Sequence, residues 1–139
     1  MEDCIFCKII KGEIPSIKVF EDERVFSFMD INPISDGHTL IIPKQHAQNI
    51  WEIETEDLLH IHKTSQKLAQ AMREALDVEG IAVLQLNGKA VNQVVFHYHL
   101  HLIPRLSGAP EIPLTHWELV SGDMEKIKRL GEQIKSRMD

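Results

Sequence analysis

The chain has no excess of positive charge, no long apolar run and almost no cysteine. Its 139 residues carry 15 Lys and Arg against 21 Asp and Glu, a formal net charge of −6. Affinity for a nucleic-acid backbone comes from clustered Lys and Arg, so this balance argues against a general nucleic-acid binder. It leaves room for a small nucleotide, which needs only a local site. No stretch approaches the ~18 consecutive apolar residues of a membrane span. Apolar clusters such as Leu40-Ile41-Ile42 have strand length instead. The acidic start Met1-Glu2-Asp3-Cys4 has no basic region followed by an apolar run, so no secretory signal is expected. Two cysteines are too few for a disulfide framework. Cytoplasmic location is the expectation. There is no low-complexity tract and no internal repeat. The length favours one domain, 1–139, around a single core. A content of 43% hydrophobic and 26% charged residues is that of an ordinary soluble globular protein.

What the chain does have is histidine in one place. Phe96 to Arg105 reads Phe-His-Tyr-His-Leu-His-Leu-Ile-Pro-Arg. His97, His99 and His101 alternate with Phe96, Tyr98, Leu100 and Leu102. Period two is the strand signature, because successive side chains point to opposite faces. The imidazoles then share one face, roughly 6–7 Å apart along a strand rising ~3.3 Å per residue. The aromatic and aliphatic residues face a core. A partly exposed polar face is the plain reading. Three in register fit a metal site or phosphate chemistry better.

The remaining elements follow from caps, turns and periodicity. Asp3 is placed to cap a short helix to about Lys11, stopped by Gly12 and Pro15. Cys4 and Cys7 share a face of it, which suits a redox pair, two metal ligands or two buried residues. Lys18 to Glu21 and Val25 to Asp30 read as strands around the Asp22-Glu23-Arg24 turn. Asn32-Pro33 and Asp36-Gly37 mark turns before a strand from His38 to Ile42. His46 lies in a loop, and Trp51 is expected to plug the core edge. Thr55 is expected to cap a long helix reaching Glu79, with Leu58, Ile61, Leu68, Met72 and Leu76 on one face and Gly80 as its stop. Its His60 and His62 have no evident partner. Strands are expected at Ile81–Asn87 and Gln93–Ile103, the latter limited by Pro104. Gly108, Pro110 and Pro113 make an irregular segment, and Ser121 is placed to cap a last helix to about Met138. The sum is an α+β fold with about five mainly antiparallel strands and helices packed on one side.

Two chemistries suit the three histidines. One is a catalytic zinc held by His-x-His and a third ligand, with an open position for water. The other is nucleophilic attack at phosphorus by an imidazole, with a neighbour binding or protonating phosphate oxygens. The loop from Gly88 to Val94 is placed to add backbone donors.

The His97-Tyr98-His99-Leu100-His101-Leu102-Ile103 run resembles the signature of the histidine triad (HIT) superfamily. Three further segments resemble it in the same order: Ile5 to Pro15, Phe28 to Pro33, and Gly37 to Lys44, and Asn87-Gly88 and Gln93 precede the triad at familiar spacing. The resemblance covers residues 3–106 as a core, with 107–139 an extension ending in a helix. It is most similar to the bacterial Hint-like branch with an N-terminal Cys-x-x-Cys.

The resemblance implies a nucleotidyl hydrolase or transferase acting at the α-phosphate of a purine nucleotide conjugate of phosphoramidate type. His99 would be the nucleophile that becomes nucleotidylated, and His101 the phosphate contact and proton donor to the leaving group. Gln93 would sit by the scissile bond, Asn87 and the Val94 N–H would hold phosphate, and His38 would support the triad. Asp30 would accept ribose hydroxyls, and Ile5, Phe6, Ile9, Phe28 and Ile31 would sandwich the base of an AMP or GMP moiety. It also implies a structural zinc on Cys4, Cys7, His46 and His97, no metal in the chemical step, and a homodimer formed through the long helix and the Ile81–Asn87 strand. Hydrolysis of dinucleoside polyphosphates, a nucleotide-binding scaffold with weak catalysis, and a catalytic-zinc hydrolase are the rival readings. The chain departs from the family in the loop before the triad. Asn92 stands where many members have Gly, and Val94, without a hydroxyl, where many have Ser or Thr.

Overall fold

The computed structural model describes residues 3–110 and 119–138. Its elements are α1 (Ile5–Ile10), β1 (Lys18–Glu21), β2 (Val25–Met29), β3 (Thr39–Pro43), α2 (Thr55–Ala75), β4 (Val78–Leu84), β5 (Leu100–Leu106) and α3 (Met124–Lys135). A single 3₁₀ turn, Lys89–Val91, lies between β4 and β5. The five strands form one sheet in the order β1-β2-β3-β5-β4, with every pairing antiparallel. Among the described residues no helix is long and apolar enough to cross a membrane.

Strand alternation divides the core between the two faces of the sheet. Val25, Met29, Ile41, Leu100 and Leu102 meet Ile61, Leu68 and Met72 of α2 and Ile127, Leu130 and Ile134 of α3. Each such side chain contributes ~1.5–3 kcal/mol when fully removed from water. Phe26, Phe28, Leu40 and Ile42 point the other way and carry Phe6 and Ile9 of α1. The two long helices thus cover one face as expected. The short α1 lies on the opposite face, where the histidines point.

Several boundaries differ from the sequence reading. Cys4, not Asp3, caps α1: its Sγ accepts the Cys7 N–H at 3.4 Å. α2 ends at Ala75, and Gly80 lies inside β4 instead of ending a helix. The cause is tertiary: Val78 and Gly80 pair with Leu106 and Arg105, so the sheet claims residues that helical periodicity would also allow. β5 in turn passes through Pro104. Its pairing with β3 stops at Leu102, so no β3 partner awaits an N–H from Pro104. His97 and His99 precede the regular part of β5, yet the alternation persists, with Tyr98 buried among the core residues. Phe96, expected to face the core, and Trp51, expected to plug its edge, are 36% and 77% exposed. His60, expected without a partner, meets Asp22 at 2.6 Å. Asp123 replaces Ser121 as the cap of α3, accepting the N–H groups of Glu125 and Lys126. Of the irregular segment, Pro113 lies outside the described residues.

α3 rests directly on the sheet. A Cβ at Gly131 would come within 2.9 Å of Met29 Cγ and 3.0 Å of Ile17 Cγ2. That close approach explains a glycine inside a helix, where it costs ~1 kcal/mol relative to Ala.

Candidate active site and metal centre

The histidine face of β5 opens on a cavity of about 440 Å³. α1 supplies one wall through Ile5, Phe6 and Ile9, and β2 and its turn supply Phe28, Asp30 and Ile31. His99 and His101 form the floor. Apolar walls with a few converging polar groups are the usual construction of a small-molecule site. Phe6 sets edge-on against Phe28 at 5.4 Å and against His99 at 5.2 Å between ring centroids, so α1 positions the floor as well as the wall.

Hydrogen bonds fix the histidine tautomers. His99 Nδ1 lies 2.8 Å from the His97 carbonyl, which can only accept, so Nδ1 carries the proton. Nε2 of His99 therefore holds the lone pair, as a nucleophile requires. Burial pushes the His99 imidazole below its ordinary range, with the Asp30 charge opposing, which keeps the ring neutral. Asp30 is itself oriented, accepting the Asn32 N–H at 2.8 Å.

His101 is held from behind. The Ile34 N–H donates to His38 Nδ1 at 3.0 Å, and His38 Nε2 lies 2.9 Å from His101 Nδ1. Asp30 Oδ2 lies 3.5 Å from the same His38 nitrogen. Burial pushes His38 down to about 4 and His101 to about 2, with nearby imidazoles adding to the shift. Asp30, His38 and His101 are close enough together to resemble a metal cluster. However, the backbone donor at His38 Nδ1 commits His38 Nε2 to a proton, which it donates to His101, so that nitrogen offers no lone pair to a metal.

The four expected metal ligands do converge. Cys4 Sγ, Cys7 Sγ, His46 Nδ1 and His97 Nδ1 all lie within 4.8 Å of one another. The separations are 3.3 Å for Cys4–His97, 3.4 Å for Cys7–His46, 3.6 Å for Cys7–His97 and 3.1 Å for His46–His97. The edges of a tetrahedron around zinc with thiolate and imidazole ligands are about 3.3–3.8 Å. The donor set thus fits a four-coordinate ion with little movement. His97 Nε2 meets the Pro43 carbonyl at 2.8 Å, which puts its proton there and turns the Nδ1 lone pair into the cluster. A soft, closed Cys₂His₂ set of this kind suits zinc. Burial pushes the Cys7 thiol up and the His97 imidazole down to about 4.

Asn87, expected at the phosphate, and Gln93, expected beside the scissile bond, both point their amides into the loop before the triad. Asn87 accepts the Ile50 N–H at 2.7 Å and pairs with Gln85. Gln93 accepts the Gly88 N–H at 2.6 Å and donates to the carbonyls of Gln48 and Val95. Neither lines the cavity, and both amides hold the loop. Val94 does line it, 67% exposed. Asn92 also lines it and sits at φ +69°, the one positive-φ residue other than glycine among the described residues. Asparagine tolerates this conformation, so it can stand where glycine is common. Leu119 completes the mouth of the cavity from the segment before α3, and no sequence signal pointed to it.

A profile of the HIT domain matches residues 11–108, and the chain belongs to the HIT family. It is 40% identical over 139 aligned residues to the adenosine 5'-monophosphoramidase HNT1 of Candida albicans, covering 97% of this chain and 91% of that one. Among solved structures, a Hit-like protein from Bartonella henselae superposes with a TM-score of 0.87 at 37% identity, covering 99% of this chain and 97% of that one. A zinc-bound histidine triad family protein from Mycobacterium smegmatis gives a TM-score of 0.85 at 32% identity, covering 99% and 94%.

Proposed function

We propose that the chain hydrolyses purine nucleoside phosphoramidates, transferring the nucleotidyl group first to His99 and then to water. One observation carries this reading. The His97 carbonyl fixes the His99 proton on Nδ1, so a neutral Nε2 lone pair is held on the floor of an apolar cavity with Asp30 in the same wall. The apolar walls suit a base between Ile5, Phe6, Ile9, Phe28 and Ile31, and the Asp30 carboxylate suits ribose hydroxyls. His101 suits a phosphate oxygen. The named activity of the fungal relative, at 40% identity across almost the whole chain, supports the same substrate class.

Cys4, Cys7, His46 and His97 would hold zinc as a structural ion, tying α1 to the residue before the nucleophile. A closed site of this type stabilises the fold and leaves no open position for substrate. The protein would assemble as a homodimer through α2 and the edge strand β4, on which Val83 is 53% exposed.

The test is a substrate panel. Adenosine 5'-phosphoramidate should be turned over faster than diadenosine polyphosphates, and the rate should survive brief chelation. Preference for the dinucleotide would move the assignment to polyphosphate hydrolysis. Binding of AMP with no turnover of either would leave a binding protein.

A further inference from the structure

The chain Ile34 to His38 to His101 allows its protons to be counted. A backbone N–H can only donate, so His38 Nδ1 accepts. Neutral His38 then carries its proton on Nε2, which donates to His101 Nδ1 at 2.9 Å. Neutral His101 therefore carries its proton on Nε2. An added proton on His101 Nδ1 would confront the His38 N–H, and one on His38 Nδ1 would confront the Ile34 N–H. Removal of the Nε2 proton would leave an imidazolate beside His38 and Asp30. The pair is wired to keep one protonation state.

We propose that His101 acts as a fixed neutral hydrogen-bond donor to the phosphate, not as the acid that protonates the leaving group. This rests on the reading of the site as a phosphoramidate hydrolase. It reverses the proton-donor role that family resemblance implies for this residue. A neutral imidazole can stabilise developing oxyanion charge as a preorganised donor without transferring a proton.

The groups facing the pair agree with this. His38 is completely buried and His101 is 7% exposed. His99 stands beside His101 with ring centroids 4.9 Å apart, which disfavours charge on both rings together. Asp30 favours charge on His38 but only from 3.5 Å. From the α3 side, Asp123 and Lys126 line a small cavity behind His38, and Lys126 is already paired with Asp36 at 3.0 Å. Burial dominates, holding both rings well below the ordinary histidine range.

The leaving-group proton then comes from the substrate. A solvent hydronium protonates the phosphoramidate nitrogen before attack, leaving water. The His99 Nε2 lone pair forms the N–P bond, the P–N bond breaks, and the amine leaves neutral with that proton. His99 becomes an N-phosphoryl imidazolium whose Nδ1–H faces the His97 carbonyl. Water then attacks phosphorus, releasing the nucleoside monophosphate, one proton and neutral His99. His101 keeps its Nε2 proton throughout.

The test compares His101→Gln with His101→Ala on adenosine 5'-phosphoramidate. Glutamine sets an amide N–H near the Nε2 position but cannot titrate. His101→Gln should keep kcat within about tenfold of wild type while His101→Ala loses on the order of 10²–10³, the usual effect of removing one such donor. The ratio of wild type to His101→Gln should stay constant from pH 5 to 9. Comparable losses in both variants, or a ratio that varies with pH, would overturn the proposal. A second readout needs no turnover: ¹⁵N NMR of the wild-type protein with AMP bound. His101 should show a protonated Nε2 and a bare Nδ1 across that range, and an imidazolium signal would refute it. No turnover by wild type would instead fault the substrate class, leaving the NMR result to decide the role of His101.

Discussion

At the scale of single residues, the three triad histidines are alike in sequence and differ in what touches their ring nitrogens. His97 turns Nδ1 toward the sulfur cluster, His99 turns Nε2 toward the cavity, and His101 is held by His38. Each should therefore fail differently when replaced. His99→Ala should lower kcat by on the order of 10⁴ or more, as loss of a nucleophile does, with the thermal midpoint little changed. Steady-state rates and a melting curve check this together. His97→Ala should do the reverse at first, with lost metal and a lower midpoint before any effect on chemistry. Phe6→Ala removes an aromatic wall that touches both Phe28 and His99. It should weaken AMP binding and cost ~3–5 kcal/mol of stability, measured by calorimetric titration and denaturant unfolding.

At the scale of elements, α1 and α3 have opposite tasks. α1 is six residues long, too short to hold itself, and is kept by Phe6, Ile9 and the cysteine cluster. Cys7→Ser should lower the thermal midpoint by about 5–10 °C, or ~2–3 kcal/mol for a chain of this length, and weaken AMP binding as the wall loosens. Zinc content by mass spectrometry separates metal loss from simple unfolding. α3 is held by contact with the sheet instead. Gly131→Ala, favourable for an isolated helix, should destabilise this one by ~1–3 kcal/mol because its Cβ meets Met29 and Ile17. The elements also show what sequence can tell. Strand and helix types were legible wherever periodicity was long or turns were sharp, as at β1, β2 and α2. The limits of α2, β4 and β5 were not, because pairing between β4 and β5 assigned Val78 to Gly80 and Pro104 to strand. At the site, the cavity walls and the four clustered donors could be read from motifs. The inward turn of the Asn87 and Gln93 amides could not, since that depends on Ile50, Gln48 and Val95, which are distant or carry no signal.

At the scale of the whole molecule, the fold stores several histidines in neutral form. For His38 the folded value is about 4 against an ordinary 6.5, so below 6.5 the unfolded chain binds the extra proton more readily. Stability should be fully present above about pH 6.5 and fall progressively toward pH 4. His101 extends the same loss further into acid. Urea unfolding at a series of pH values would show it, and a midpoint flat from pH 7 to 4 would contradict it. The same neutrality serves the chemistry, since a protonated His99 has no lone pair to attack with. The most direct measurement is rapid quench of the protein with adenosine 5'-phosphoramidate, followed by peptide mapping. An AMP adduct should form on His99 and decay within the catalytic cycle, and should be absent from His99→Ala. Turnover at wild-type rate by His99→Ala, or an adduct on another residue, would contradict it.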